Sequence, residues 1–363
     1  MSSLVVSPQS WILSRRDDLL WFQGSVVAGL GLLAFFLAAP RLDDASYAPG
    51  HPAVLAVFLW GVLFDGTHVW GTYARTYFAP DEGSRAGLPG AWSWGLLALG
   101  PAVALLDGAI RATTRSEPAG AGWLFQAFLV AAYLWAYWHL VRQHYGFLML
   151  YRKHVGENER RGARLDSFIL WVGCLYPYLR FSLSESYARS GLPHVVPASL
   201  LPSLRLGLDV AFGLALTATI CLVLSGRIEP FRLGPKHLLL AIVISFHLAV
   251  FGLLGNLLTI LATLTIFHNL QYHRIVWQYE RGLGRTPSGS LLRYLAFGLT
   301  LGLAWYGPRV LGVAAVHSDL ARNVLIGLGW GVAFHHYLVD GRIWRVRRSS
   351  VVSRALDAGA VQR

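Results

Sequence analysis

Residues 122–148 read GWLFQAFLVAAYLWAYWHLVRQHYGFL, with Arg142 the one Lys, Arg, Asp or Glu among them. The hydrocarbon core of a bilayer is crossed by about 20 apolar residues of helix, so this stretch reads as a transmembrane helix. Its second half breaks the apolar pattern with His139 and His144. The same arrangement recurs elsewhere: Asp65 and His68 lie in 52–78, His268 and His273 in 256–278, and His335, His336 and Asp340 in 322–341. An ionisable group in a span is costly, roughly 3 kcal/mol for a charged one at the helix centre, and marks function by default. Histidine is also the commonest metal ligand. A membrane-embedded metal centre is therefore the first expectation.

Composition agrees with the membrane reading. The chain has 363 residues, 55% hydrophobic and 14% charged, against roughly 25% charged in soluble domains. Its 14 Trp and 15 Tyr suit aromatic belts, and its 38 Gly suit close helix packing. The net charge of +12 is assigned to a basic membrane face rather than to nucleic acid. Almost all of it is arginine; Lys153 and Lys236 are the only lysines. Cys174 and Cys221 lie in apolar segments, so neither a disulfide nor a cysteine metal motif is expected.

The expected fold is all-α and polytopic, one membrane-embedded domain over 1–363 with short polar tails at 1–18 and 345–363. Ten spans are read at 19–40, 52–78, 91–107, 122–148, 165–183, 203–225, 237–254, 256–278, 291–310 and 322–341. The first follows a polar stretch with Arg15 and Arg16 and is of full span length, so it reads as a span rather than a cleavable signal. Gly255 and Asn256 alone join the seventh and eighth, which form either a hairpin or a re-entrant pair. With the N-terminus inside, only Arg41, Arg111, Arg115, Arg180, Arg189, Arg205, Arg309 and Arg322 of the 31 Lys and Arg fall outside. By the positive-inside rule both termini are then cytoplasmic. All four histidine-bearing spans run from outside to inside, which puts their clusters at one depth near the cytoplasmic face.

The clusters differ in local geometry. Asp65 and His68, three apart, share a helix face; Asp65 either ligates, orients His68, or makes a hydrogen bond that serves packing alone. His139/His144 and His268/His273 are five apart, a rotation of about 140° at 3.6 residues per turn. Either those helices are distorted, or each lends its histidines to two places. The repeated spacing hints at a duplication; interfacial histidines in aromatic-rich helix ends are the plainer alternative. His336 and Asp340 stack on one face, while His335 points about 100° away; Asp340 pairs with them or with Arg342. His247, deeper in its span, is either a ligand or a core residue. His51, His154, His194, His237 and His317 read as solvated surface. Arg142, Gln143, Tyr145, Asn269, Gln271, Tyr272 and Arg274 flank the clusters as candidate substrate-binding residues.

Nitrogen and carboxylate donors without thiolate suit iron, zinc, manganese or copper. A single zinc takes four ligands. The candidates His68, His139, His144, His247, His268, His273, His335, His336, Asp65 and Asp340 exceed that number, so two metal ions are the economical reading. Two irons, able to activate O₂ against an apolar bond, are the expected pair, with zinc or haem as the alternative.

Gln143-His144-Tyr145-Gly146-Phe147 resembles the His-Tyr-Gly segment of the alkane hydroxylases, within the histidine-rich integral-membrane di-iron oxygenases that include fatty-acid and sterol desaturases and hydroxylases. The segment covers about five residues, and the chain has no His-x-x-x-His pair. His268–Arg274 is loosely similar to the histidine-rich span of the bacterial membrane carotene-cleaving oxygenases. Both resemblances imply O₂-dependent oxidation of a lipidic substrate in a bacterial inner membrane. Other classes remain open at this point: a zinc-dependent hydrolase or lipid transferase, a haem-binding electron carrier with bis-histidine ligation, and a metal or proton transporter. An oxygenase needs electrons, and the basic stretches Arg152–Arg164 and Arg342–Arg354 either dock an acidic redox partner or anchor the chain to anionic lipid.

Overall fold

The computed structural model describes residues 10–40, 51–80, 85, 87–114, 122–157, 160–225, 234–308, 316, 318–346 and 349–361. Among the described residues the chain is helical and holds no strand. The long helices are α1 (Arg15–Ala38), α2 (Pro52–Arg75), α3 (Ala91–Thr114), α4 (Trp123–His154), α5 (Arg160–Ser182), α6 (Leu201–Leu224), α7 (Pro235–Leu253), α8 (Leu257–Gly282), α9 (Leu291–Gly307) and α10 (Asp319–Ile343). Six of them, α1, α2, α3, α4, α6 and α7, are long and apolar enough to cross a membrane. Two of the other four differ for evident physical reasons. α9 is 17 residues long, and α8 carries His268, Asn269, Gln271, Arg274, Gln278 and Glu280 as buried polar groups.

Two compact units make up the chain. The first comprises Met1–Ala38 and Leu140–His268, the second Ala39–His139 and Asn269–Arg363. The boundaries fall inside α4 and α8.

In the first unit α5 packs on α6 and α7, and α7 on α1. Gly29 and Gly173 lie against Phe246 and Ile244, where a Cβ would collide with the side chain. A charged group closes one end of the unit. The Arg152 guanidinium donates to Glu157 at 2.7 Å, and Asp166 lies between Arg152 and Lys236. Arg152 is buried, so of the basic stretch 152–164, at the end of α4 and the start of α5, it is Lys153, Arg160, Arg161 and Arg164 that are exposed. Leu254 is extended, and the Asn256 side chain accepts the Leu258 amide at 2.9 Å, capping α8. A break between two helices therefore stands where the sequence placed its hairpin or re-entrant pair.

In the second unit α3 packs on α10, α9 on α2, and α2 on α10. Glycines set these contacts. Gly66 meets the backbone of Gly302, and Gly100 meets that of Gly327, so a Cβ at any of the four would clash with main chain. Gly331, four residues after Gly327, lies against Leu96 and Leu97. Small residues spaced this way let backbones approach closely, a common basis of helix association in membranes. One turn of α2, Gly61–Asp65, is a π-helix, a local widening often found at functional sites; it directly precedes His68.

Within 345–363 lies a further helix, α11 (Ser350–Val361), with Val352, Ala355 and Leu356 buried. Its Ala355 backbone packs on Gly282. The other tail is also ordered near its end: Asp18 is fully buried and accepts the amides of Ile12 at 2.7 Å and Leu13 at 3.0 Å.

Candidate metal centre

Three helices of the second unit bring His68, His139, His336 and Asp340 together. One donor atom from each lies within 4.8 Å of the other three. His68 Nε2 and His336 Nε2 are 2.8 Å apart. Asp340 Oδ2 stands 3.8 Å from His336 Nε2 and 4.0 Å from His139 Nε2. His68 and His336 are 2% and 1% exposed. The i, i+4 spacing of His336 and Asp340 on α10 acts as the sequence suggests, turning both to one face. His139 is held by stacking on Tyr337 at 4.3 Å, and the α4 turns before it by Trp135 against Phe334 and Tyr133 against Trp330.

Tetrahedral ligation at roughly 2.0–2.1 Å per bond separates donors by about 3.3–3.4 Å. The observed separations, from 2.8 Å to under 4.8 Å, bracket that value. An ion fits once the His68–His336 pair opens by about half an ångström and the wider pairs close.

A hydrogen-bonded shell fixes which atoms face the centre. Thr72 Oγ1 donates to Asp340 Oδ1 at 2.8 Å, and Tyr272 Oη donates to the same oxygen at 2.8 Å. With Oδ1 taken, Oδ2 is the oxygen left for an ion. Thr72 has one proton, given to Asp340, so His336 Nδ1, 2.8 Å away, is the donor in its contact with Thr72. That assignment follows from the network and leaves the His336 Nε2 lone pair toward His68. Outer partners of this kind set ligand tautomer and orientation. Trp344 Nε1 donates to Tyr272 Oη at 3.3 Å. Arg75, buried, has its guanidinium 3.7 Å from the Trp344 ring centroid and 4.0 Å from that of Tyr279.

The remaining candidate residues stand elsewhere. His273 Nε2 meets Thr67 Oγ1 at 3.1 Å and its Nδ1 meets Tyr294 Oη at 2.8 Å. Thr67 gives its proton to the carbonyls of Leu63 and Phe64, so His273 donates from Nε2 and accepts at Nδ1. Asp65 Oδ2 accepts from Tyr306 Oη at 2.6 Å. His335 contacts Tyr73 Oη at 3.0 Å and stacks on Trp94 at 4.1 Å.

In the first unit, His144 is fully buried and its ring nitrogens have no hydrogen-bond partner among the described residues. Its ring lies 5.8 Å from that of His247. His268 is buried, and its carbonyl accepts from Gln143 Nε2 at 2.8 Å. α4 and α8 are regular helix through 139–144 and 268–273. The five-residue spacing thus reflects histidines pointing two ways, not a distorted helix. Among the described residues one group of three or more metal-capable side chains forms.

Of the flanking candidates, Tyr272 belongs to the Asp340 shell. Asn269 and Gln271 are fully buried, and Arg274 bonds Gln278 at 3.3 Å. Tyr145 is half-buried and Arg142 exposed. His51, His154, His194 and His237 are half-buried rather than solvated; His51 caps α2 by accepting the Ala53 amide, and His194 contacts the Ser182 carbonyl. His317 lies outside the described residues. Both cysteines are free thiols. Sequence reasoning missed Thr72. Its signal was position: four residues after His68, on the same face of α2.

Comparison with protein-family models, with curated proteins and with solved structures finds no match.

Proposed function

We propose that this chain is a multi-pass membrane oxidoreductase that uses iron and O₂ to hydroxylate, desaturate or cleave a lipidic substrate near the cytoplasmic face of a bacterial inner membrane. The observation that carries the reading is the convergence of His68, His139, His336 and Asp340 in a buried, hydrogen-bonded group. In this reading all ten long helices span the membrane with both termini inside, as the distribution of basic residues favours. Of the two ions that the histidine count calls for, this group would hold one.

A catalytic role, which needs an open position, is what separates iron from zinc here. Four protein donors complete a tetrahedral zinc, which is the pattern of structural sites; catalytic zinc keeps three protein ligands and an open position. Histidine–carboxylate iron with vacant positions is the pattern of non-haem oxygenases. His68 and His336 nitrogens in hydrogen-bond contact leave no room for a macrocycle between them, which disfavours the bis-histidine haem reading. Bound iron would supply O₂ activation. The chain's own residues would hold the donors in place through Thr72 and Tyr272 and keep bulk water out by burial.

Metal analysis and an optical spectrum of detergent-purified protein test this directly. One or two irons per chain without a Soret band is the expected result. Zinc alone, a Soret band, or no metal after supplying Fe(II) would refute it. Electrons would come from an acidic cytoplasmic donor docking on the exposed Arg160, Arg161 and Arg164. Arg160→Glu with Arg161→Glu should slow turnover with a protein donor and leave turnover with a chemical reductant unchanged; equal loss with both would remove the docking surface.

A further inference from the structure

The second unit contains a cleft of about 410 Å³, within the roughly 300–1,000 Å³ of small-molecule sites. Its lining is almost wholly apolar and largely aromatic: Trp70 and Tyr73 of α2, Tyr77 just beyond it, Trp94 of α3, and Phe297 and Ala304 of α9. Trp70 and Tyr73 are buried, whereas Trp94 and Phe297 are 45% and 52% exposed. The cleft thus has a closed inner end and an aromatic rim.

Its inner wall is one residue along the chain from the shell of the metal group. Tyr73 follows Thr72, whose hydroxyl holds His336 and Asp340. His335, which precedes His336, contacts Tyr73 Oη at 3.0 Å and Tyr77 Oη at 3.4 Å and stacks on Trp94. Consecutive helical residues point about 100° apart. α2 therefore presents a ligand and its partner, His68 and Thr72, on one side and cleft wall, Trp70 and Tyr73, on the other, while His335 of α10 packs behind that wall.

We infer that this cleft binds the hydrocarbon part of a membrane lipid, which enters from the bilayer past Trp94 and Phe297 and ends at Trp70 and Tyr73. The hydroxyls of Tyr73 and Tyr77 are engaged by His335, so the walls offer little to a polar metabolite. A hydrocarbon gains from every aromatic face, and the rim belongs to two apolar helices, α3 and α9. The inference deepens the proposed function by placing its substrate, but the binding test needs no metal.

The full chain would be reconstituted in lipid nanodiscs with palmitic acid carrying a diazirine at its methyl end, irradiated, and mapped by peptide mass spectrometry. Helix α6, with no buried residue in its apolar window, supplies the background for contact with bulk lipid. Labelling at 70–78 and 297–304 is expected to exceed the α6 level and to be competed away by unlabelled palmitic acid, while labelling of α6 is not. Ala304→Trp and, separately, Thr300→Trp fill the cleft and should bring its labelling down to the α6 level. Wild-type labelling no greater than α6, labelling that does not saturate, or labelling unchanged in both variants would overturn the inference. Iron measured on the same samples separates the two readings. Saturable labelling without iron supports the cleft and removes the metal reading; iron without localised labelling does the reverse.

Discussion

His336→Ala is expected to empty the metal centre, and Asp340→Asn to weaken it severely, while His273→Ala keeps its metal. His336 supplies Nε2 to the centre and Nδ1 to Thr72, so alanine removes a ligand and unpins the shell around Asp340. Losing an outer partner typically costs 10–100-fold in metal affinity; losing a ligand from a set of four should exceed that. Asp340→Asn conserves shape and can still accept at Oδ1 from Thr72 and Tyr272. It exchanges the charge facing His139 and His336 for a neutral amide, which isolates the electrostatic part of the loss. His273→Ala is the control, because both its nitrogens are engaged by Thr67 and Tyr294. It strands the buried Tyr294 hydroxyl, at a cost of about 1–3 kcal/mol, so its thermal midpoint should fall while its iron per chain does not. Plasma emission spectrometry on purified protein, beside thermal unfolding in detergent, reads both quantities. Wild-type iron in His336→Ala, or equal loss in His273→Ala, would sink this assignment of ligands.

That contrast also shows what could be read in the sequence. Apolar length gave the helices, because span length and hydropathy are local properties. The i, i+4 pair His336/Asp340 was legible for the same reason: helical geometry alone turns both to one side. The grouping of ligands was not legible. The five-residue spacing left open whether His139 and His144 serve one place on a distorted helix or two; His139 belongs to the second unit with His68 and His336, and His144 to the first with His247. Which faces meet is decided between helices, by contacts such as Gly66 on Gly302 and Gly100 on Gly327, and no single segment carries that information. Asp65 illustrates the point from the other side. It lies one helical turn before His68, but its carboxylate bonds Tyr306 of α9, a partner 241 positions away that the spacing could not name.

Thr72→Val should lower metal affinity by about 10–100-fold, the usual cost of removing an outer-shell partner, and Thr72→Ser should restore it. Valine keeps the β-branched shape, so packing within α2 is conserved and only the hydroxyl is lost. Without it His336 Nδ1 loses its acceptor and Asp340 Oδ1 loses one of two donors. The imidazole is then free to rotate or to adopt the other tautomer, with its proton on Nε2 where the ion must bind. Tyr272→Phe should cost less, because Thr72 still holds both Asp340 and His336. A general loss of stability would not discriminate between hydroxyl and methyl in this way, so rescue by serine is the decisive arm. The readout is Co(II) affinity by chelator competition together with the visible ligand-field bands, which shift when a donor changes position. Binding by Thr72→Val within about twofold of the wild type, or failure of Thr72→Ser to recover, would show that the hydroxyl does not orient the ligands, and the reading of a built metal centre would lose the network on which it stands.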